Sequence, residues 1–462
     1  MENRLDDRET FDHLYQNIRE HLINSDDDVV LAAIEHVHSA DLAEIMTELE
    51  DKERNRLFTL LSREQAAEVF SDIDTELFEE LFALLKREQK VAVLDLMAQD
   101  DIVDILGEVS EALKARIIAL LDAESKTDVQ ELLVYPEDSA GGIMTKDYID
   151  IKRDMTIAQA TEYLRENAPD AETVYYVYVT DDADCLVGII SLRQLIVSSP
   201  WVKIDQVMSQ SVIHVYVDTD QEDVARVVSK YDLLVVPVVD DDERLVGIIT
   251  VDDVIDVIEE EATEDMLKFA GTTDEELDHY EDDIAKSIYY SVKARLPWLI
   301  ITIFGGLLSS FVISNYQGAL AADQTLAMFM PLLAGMGGNV GTQSSTLTVR
   351  NIAINDIRGV EAWRALAQEI IVGFIVGLIC ALIVAGLSYF MRGRYLLSVI
   401  VGVAMWANIV TAATIGTIVP LLFKRVGVDP AVASAPFITT TIDITGLSIY
   451  FSLATALMVA LL

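Results

Sequence analysis

The chain has 462 residues, with 77 Asp and Glu against 33 Lys and Arg, a formal net charge of −44, and 52% apolar residues. So acidic a surface excludes the basic face that nucleic-acid binding needs, and it favours cations as ligands. Two cysteines, Cys185 and Cys380, are too few for a disulfide framework or a thiolate metal site.

The charge is divided sharply along the chain. Residues 1–283 hold 71 of the acids and 23 of the bases; residues 284–462 hold 6 and 10 and are almost continuously apolar. The first part belongs in water and the second in lipid. For most of the Asp and Glu a solvated surface is account enough, and only acids in spaced constellations ask for more. The opening stretch MENRLDDRETFDHLYQ is charged and has no apolar core, so no signal peptide is expected and the soluble half is expected in the cytoplasm.

From about residue 25 to 133, apolar residues recur at helical spacing. LFTLLSREQAAEVF from Leu57 returns 24 residues later as LFALLKREQKVAVL from Leu81. This predicts an acidic helical domain over 1–135, built as a small solenoid in which each repeat buries its face on the next.

Residues 136–260 hold a second duplication, of α/β character. IMTKDYIDIKRDMTIAQA from Ile143 parallels VMSQSVIHVYVDTDQEDVA from Val207, and LVGIISLRQLI from Leu186 parallels LVGIITVDDVI from Leu245. Strand-like runs at 173–180 and 233–240 precede the latter pair. The two units resemble a tandem pair of CBS (cystathionine β-synthase) domains, which implies a regulatory module that often binds adenine nucleotides. The second unit keeps the nucleotide signature of such modules in Gly247, Thr250 and Asp253. The first has Gly188 and Ser191 but Gln194 in place of the acid, which hydrogen-bonds without charge assistance. Weak ATP binding through Gly247, Thr250 and Asp253 is the expectation, as a cofactor beside Mg²⁺.

An acidic helical stretch follows, with a connecting helix over 261–292, and then a membrane domain over 293–462. Five apolar segments, at 297–315, 326–349, 365–390, 396–423 and 431–462, each suffice to cross a hydrocarbon core that needs ~20 residues. Pro297 suits a first helical turn. Lys293, Arg295, Arg350, Arg358, Arg364, Lys424 and Arg425 fall on one side if the N-terminus is inside, with Arg392 and Arg394 the exceptions. Five spans then put the C-terminus outside a plasma membrane.

Carboxylates inside apolar spans are the informative residues, because a charge at a helix centre costs ~2.5–3.5 kcal/mol. Asp443 lies in PFITTTIDITGLSIYF, with Thr439 one turn before it on the same face and Pro436 and Gly446 on either side. Oxygen ligands of this kind suit a hard cation such as Mg²⁺. A carboxylate buried by hydrogen bonds to a neighbouring helix is the plainer alternative. In MPLLAGMGGNVGTQSSTLTVR, Gly335, Gly337, Gly338 and Gly341 surround Asn339, with Gln343 close by. Glycines alone would mean close helix packing; with Asn339 and Gln343 they read as a polar pore lining.

The string PLLAGMGGNVGTQSSTLTVR, the Asp-bearing last helix, the CBS pair and the acidic helical domain occur in the order of the MgtE magnesium channels, and the chain resembles that family over nearly its whole length. The resemblance implies a homodimer with two copies of Asp443 flanking one pore, a plug formed by the connecting helix, and closure by cytoplasmic Mg²⁺. It further implies ion-binding roles for Glu68, Asp100 and Asp104; for Asp220, Glu222 and Asp232 with backbone near Gly142 and Ser229; for Asp253, Asp256, Glu261, Glu264 and Asp265; and for Asp429 before the last helix. Ala435 departs from the relatives that place Asn there. A coupled divalent-cation exporter would need a second titratable membrane residue, for which Glu369 is the candidate. A chloride transporter with CBS domains is excluded by domain order. The six histidines (His13, His21, His36, His38, His214, His279) show no ligand pattern, and no nucleophile–base pair points to an enzyme.

Overall fold

Ten short helices, α1 (Arg8–Asn24) to α10 (Ala123–Leu132), fill the first part of the chain. The computed structural model describes residues 8–167, 175–273, 284–355, 359–433 and 435–461. All but α1 have eight to ten residues; helices that short do not persist alone in water, so these depend on burying an apolar face. The repeat falls on helix pairs: α4 (Asp51–Leu60) with α5 (Arg63–Asp72), then α6 (Thr75–Leu84) with α7 (Arg87–Leu94). Leu57 and Phe58, and 24 residues on Leu81 and Phe82, are buried. Phe70 meets Phe58, Phe78 and Phe82 at centroid distances of 5.1, 4.7 and 6.1 Å. The polar stops between helices are caps. Ser62 and Gln65 form a reciprocal capping box, and the Asp74 carboxylate accepts from the Leu77 N–H at 2.8 Å.

The duplicated α/β segment folds as two three-stranded sheets of identical topology. The first takes β1 (Asp150–Lys152), β2 (Tyr176–Thr180) and β3 (Leu186–Ser191); the second takes β4 (Val215–Tyr216), β5 (Val235–Val239) and β6 (Leu245–Thr250). In each sheet a parallel pair is crossed by a helix, α11 (Ile157–Asn167) or α13 (Gln221–Tyr231), and an antiparallel pair follows. Val179 faces Gly188 in one and Val238 faces Gly247 in the other, with a register shift after each valine. Each unit lends its entry segment to the other. The Thr145 N–H donates to Ile248 O at 2.9 Å, and the Ile189 N–H donates to Ser209 O at 2.9 Å. Both crossings are tight: a Cβ on Gly247 would stand 2.9 Å from Thr145 O and one on Gly188 3.2 Å from Ser209 O, with Met144 and Met208 Sδ at 2.5 Å. Residues 173 and 174 of the first strand-like run lie outside the described residues. The short helix α12 (Leu192–Val197) follows β3.

The chain divides into two units, Met1–Ile258 and Glu259–Leu462. Helix α14 (Val251–Ala270) runs through the division, and residues 274–283 of the expected connector lie outside the described residues, as does Arg358. In the second unit come α15 (Ile284–Asn315), α16 (Gln317–Ala322), α17 (Met330–Asn355), α18 (Val360–Arg392), α19 (Tyr395–Arg425) and α20 (Ala435–Leu461). Pro297 does not stand in a first turn as expected. Helix α15 begins at Ile284, so Pro297 lies inside it, where the preceding residues already hold helical geometry. Long helices occupy all five expected positions, yet only four described segments, Ile288–Asn315, Val360–Arg392, Tyr395–Arg425 and Ala435–Met458, are apolar enough to qualify as spans by length and composition. Four of the five expected spans thus qualify among the described residues. Helix α17 falls short because Gly, Asn, Gln, Ser and Thr take up much of its length.

Candidate functional site

Asp443 sits on α20, and small residues decide what surrounds it. A Cβ on Gly341 of α17 would lie 1.9 Å from Ile442 Cδ1, one on Gly338 3.3 Å from Thr439 Cγ2, and one on Gly305 of α15 1.8 Å from Thr440 Cγ2. The residues flanking Asp443 are therefore seated directly on the backbones of α15 and α17. Asp443 itself is half-buried. It makes no hydrogen bond or ion pair with any described residue. Among the described residues, none supplies the partner that the plainer alternative, a carboxylate tied down by a neighbouring helix, requires. The Thr439 hydroxyl donates back to Ala435 O at 2.9 Å, so Thr439 offers only lone pairs outward. Asn339 and Gln343, four residues apart on one face of α17, are both exposed, and nothing lies within 4 Å of a Cβ on Gly335 one turn earlier. Glu369 on α18 accepts from the Ser344 hydroxyl at 2.8 Å.

At the end of α14, Lys268 Nζ lies 2.5 Å from Glu264 Oε1 and 3.0 Å from Asp429 Oδ2. The other Asp429 oxygen caps the turn at Pro430–Val432 by accepting from the Ala431 N–H at 2.8 Å. Asp265 is beside them, and burial, then the Asp429 charge, then Glu261 and Glu264 push its carboxyl up to about 6 against the opposing pull of Lys268. Two of the expected acids thus pair with one ammonium, and Asp265 feels both of them together with Glu261. Gly271, at φ +82, ends the helix, and a Cβ there would lie 3.3 Å from both Pro436 and Trp298. The left-handed turn lets α14 end close to the start of α20.

In the first unit the expected acids spread out. Asp253 accepts from the Thr250 hydroxyl at 2.5 Å and from its N–H at 3.3 Å, which starts α14. Burial, with Asp252 and Asp101 adding repulsion, pushes the Asp253 carboxyl up to about 6 despite those bonds. Ser191 and Gln194 make the equivalent capping box before α12. The Gly–Thr–Asp signature thus has a helix-starting role of its own, which Gln194 fulfils as well as an acid does. Asp220 caps α13 through the Glu222 N–H at 2.9 Å, Glu222 pairs with Arg226, and Asp232 ends that helix at φ 52. Asp220 and Asp232 therefore stand at opposite ends of an eleven-residue helix. Ser229, Glu68, Asp104 and Asp256 are exposed, whereas Asp100 is buried at the start of α8 (Gln99–Glu108). Gly142 holds a tight turn, where a Cβ would stand 2.3 Å from Pro136 O.

Sequence reasoning passed over a cluster beside these. The Ser71 hydroxyl donates to Asp101 at 2.6 Å, and burial first and Asp252 next push Asp101 upward. Asp72 is raised by burial, then by Asp101, Asp256 and Glu68. Among the described residues, no group of three or more His, Cys, Asp or Glu converges as a ready-made metal cage. The soluble acids are arranged as like charges near one another, a geometry suited to loose bridging through water.

Comparison with known proteins agrees with this layout. The family model described as a divalent cation transporter matches residues 330–453, that of the MgtE intracellular N domain matches 37–138, and that of the CBS domain matches 140–199 and 204–260. The magnesium transporter MgtE of Thermus thermophilus is 39% identical over 447 residues, 96% of this chain and 98% of that protein. Its Bacillus subtilis namesake is 34% identical over 431 residues, 92% of this chain and 93% of the relative. A crystal structure of the cytosolic domain of the Mg²⁺ channel MgtE in complex with ATP superposes with a TM-score of 0.51 at 39% identity, covering 53% of this chain and 99% of that one. The soluble part of a magnesium transporter gives a TM-score of 0.50 at 36% identity, over 55% of this chain and 99% of the other.

Proposed function

This chain belongs to the MgtE family, and from that premise we propose that it carries Mg²⁺ across a membrane, inward, through a path lined by α17 and α20. The observation that carries the reading is Asp443, a half-buried carboxylate with no described partner in an apolar helix. An ionised group left so would be expensive unless a cation or water met it. Asn339 and Gln343 support it, because an exposed polar stripe on a membrane helix needs a wet surface or a second chain. In this reading α17 is the fifth span, and its polarity is what excludes it by composition. The chain pairs as a homodimer in the plasma membrane, with its N-terminus inside and C-terminus outside. The helix pairs of the first domain stack as a solenoid.

Control follows from the charge. The acids around Lys268 and those at Asp72, Asp101, Asp252 and Asp256 repel at low internal Mg²⁺ and are bridged by it at high Mg²⁺, which closes the path. ATP binds at Gly247, Thr250 and Asp253, as an ATP-bound relative suggests. The coupled exporter is the weaker reading, since Glu369 is engaged by Ser344 rather than free to shuttle a proton.

Flux into proteoliposomes tests the proposal. The chain should pass Mg²⁺ down its gradient with no pH gradient, less as Mg²⁺ on the soluble-domain face rises. Asp443→Ala should lower flux at least tenfold while the protein still purifies as a folded species. Undiminished flux through that variant removes Asp443 from the path.

A further inference from the structure

A second polar side chain lies deep in the membrane unit, on α19 rather than on the helices just described. Asn408 is 1% exposed and stands near the middle of a 31-residue apolar helix. Its Nδ2 donates to Leu333 O of α17 at 2.7 Å. Its Oδ1 is buried and has no hydrogen-bond partner among the described residues. The acceptor at Leu333 fixes which end of the amide is which, because the reverse orientation would set two carbonyl oxygens together.

Glycine flanks the amide on both sides. A Cβ on Gly337 of α17 would lie 2.7 Å from Asn408 Nδ2, and one on Gly446 of α20 would lie 2.3 Å from Oδ1. Asn408 is therefore a polar wedge held between α17 and α20, with its unmet oxygen turned to the turn of α20 that follows Asp443. Leucine would fill such a space with no polar atom to satisfy. An amide placed there leaves an acceptor that lipid cannot serve. Water is a donor small enough to serve it, and the path proposed beside Asp443 lies one turn along α20 from Gly446, against which the oxygen packs.

We propose that Asn408 is a positioning residue of the ion path. Its Nδ2 pins α17 in register against α19, and its Oδ1 accepts a hydrogen bond from water that enters between α17 and α20 when the path hydrates. A hydrated divalent cation points its water hydrogens outward, so an amide oxygen one turn from the carboxylate serves the ion's hydration shell. The inference rests on the assignment of the path to α17 and α20.

Asn408→Leu keeps the shape and removes both polar ends. In proteoliposomes it should lower Mg²⁺ flux about tenfold and change the ratio of Mg²⁺ to Mn²⁺ flux, while Asn408→Gln, which keeps both the donor and the acceptor, should restore much of the flux. A second measurement does not depend on Asn408→Leu folding. In a Cys185→Ala, Cys380→Ala background, Asn408→Cys should become sensitive to block by Ag⁺, a small ion that follows water. Wild-type flux and ratio in Asn408→Leu, or a folded and conducting Asn408→Cys that ignores Ag⁺, would overturn the proposal. Should the wild-type chain pass no Mg²⁺ at all, the functional reading fails instead, so the two failures are distinguishable.

Discussion

Gly416 on α19 offers the sharpest test of how closely the membrane helices must approach. A Cβ there would stand 2.3 Å from Gly341 O and 3.1 Å from Gly341 C. These are backbone atoms of α17, so no side chain can swing away. Restoring ordinary contact of ~3.4 Å requires a separation of about 1 Å between α17 and α19. Overpacking on that scale costs about 1–3 kcal/mol. The displacement also disturbs the seat of α20, because the same Gly341 presses on Ile438 and Ile442. Gly416→Ala should therefore lower the thermal midpoint of the detergent-solubilised protein by several degrees and reduce Mg²⁺ flux. Gly386→Ala serves as the control, since nothing lies within 4 Å of a Cβ there and alanine is the better helix former. If Gly416→Ala melts and conducts as Gly386→Ala does, the close-approach reasoning is wrong.

Three further outcomes follow from the charges. Asp253 and Asp265 are both pushed up to about 6; their folded forms bind more protons than the unfolded chain between that value and the ordinary carboxylate range, so Mg²⁺-free stability should rise as pH falls through about 6. Protons then compete with Mg²⁺, and the gain in thermal midpoint from millimolar Mg²⁺ should be smaller at pH 5.5 than at pH 7.5; equal gains would exclude these two acids from Mg²⁺ binding. Lys268→Met removes an ammonium that shares Glu264 and Asp429 with any bound cation, so protease protection of α14 should be weaker without Mg²⁺ and should reach its midpoint at several-fold lower Mg²⁺; an unmoved midpoint refutes the competition. Asp220→Asn keeps the cap on α13 and loses the charge, whereas Asp220→Ala loses both; only the alanine variant should lose about 1 kcal/mol of stability, while both should blunt the Mg²⁺ response.

Much of this layout is legible in the sequence, and the boundary of legibility is physical. Duplications are visible because each copy must bury the same face, as Leu57 and Leu81 do. Asp443 is visible because a carboxylate in an apolar run has few innocent explanations. Contacts at long separation are not visible. Lys268 is a solitary base in an acidic helix until Asp429, 161 residues away, is found beside it. Periodicity placed Asp100 and Asp104 on one face of α8, but packing decides that Asp101 is the acid pressed towards Asp252. Asn408 reads as one polar residue in a long apolar segment, and only the two glycines against its amide reveal where it points. Helix α17 tests the limit from the other side. Its composition argues against a span for the same reason that it argues for a path, since a helix that touches water inside a membrane need not be apolar all round.

Several of the soluble acids are already committed to the fold, which accounts for there being no cage among the described residues. Asp220 and Asp429 each cap a helical turn through one oxygen, and Asp253 receives both bonds from Thr250 on one oxygen. A cap fixes the carboxylate against the backbone, where the peptide dipoles favour its charge. The oxygen used for capping is committed to the fold, so a metal that stripped it away would unwind the element it starts. A cation held through its own water shell makes no such demand, because it needs only negative potential and a free acceptor nearby. Mg²⁺ sheds its waters reluctantly and suits that arrangement better than an ion that seeks many direct oxygen ligands. The acids therefore keep their structural duties whether or not the ion is present. In the proposed control, what changes with Mg²⁺ is the repulsion among them.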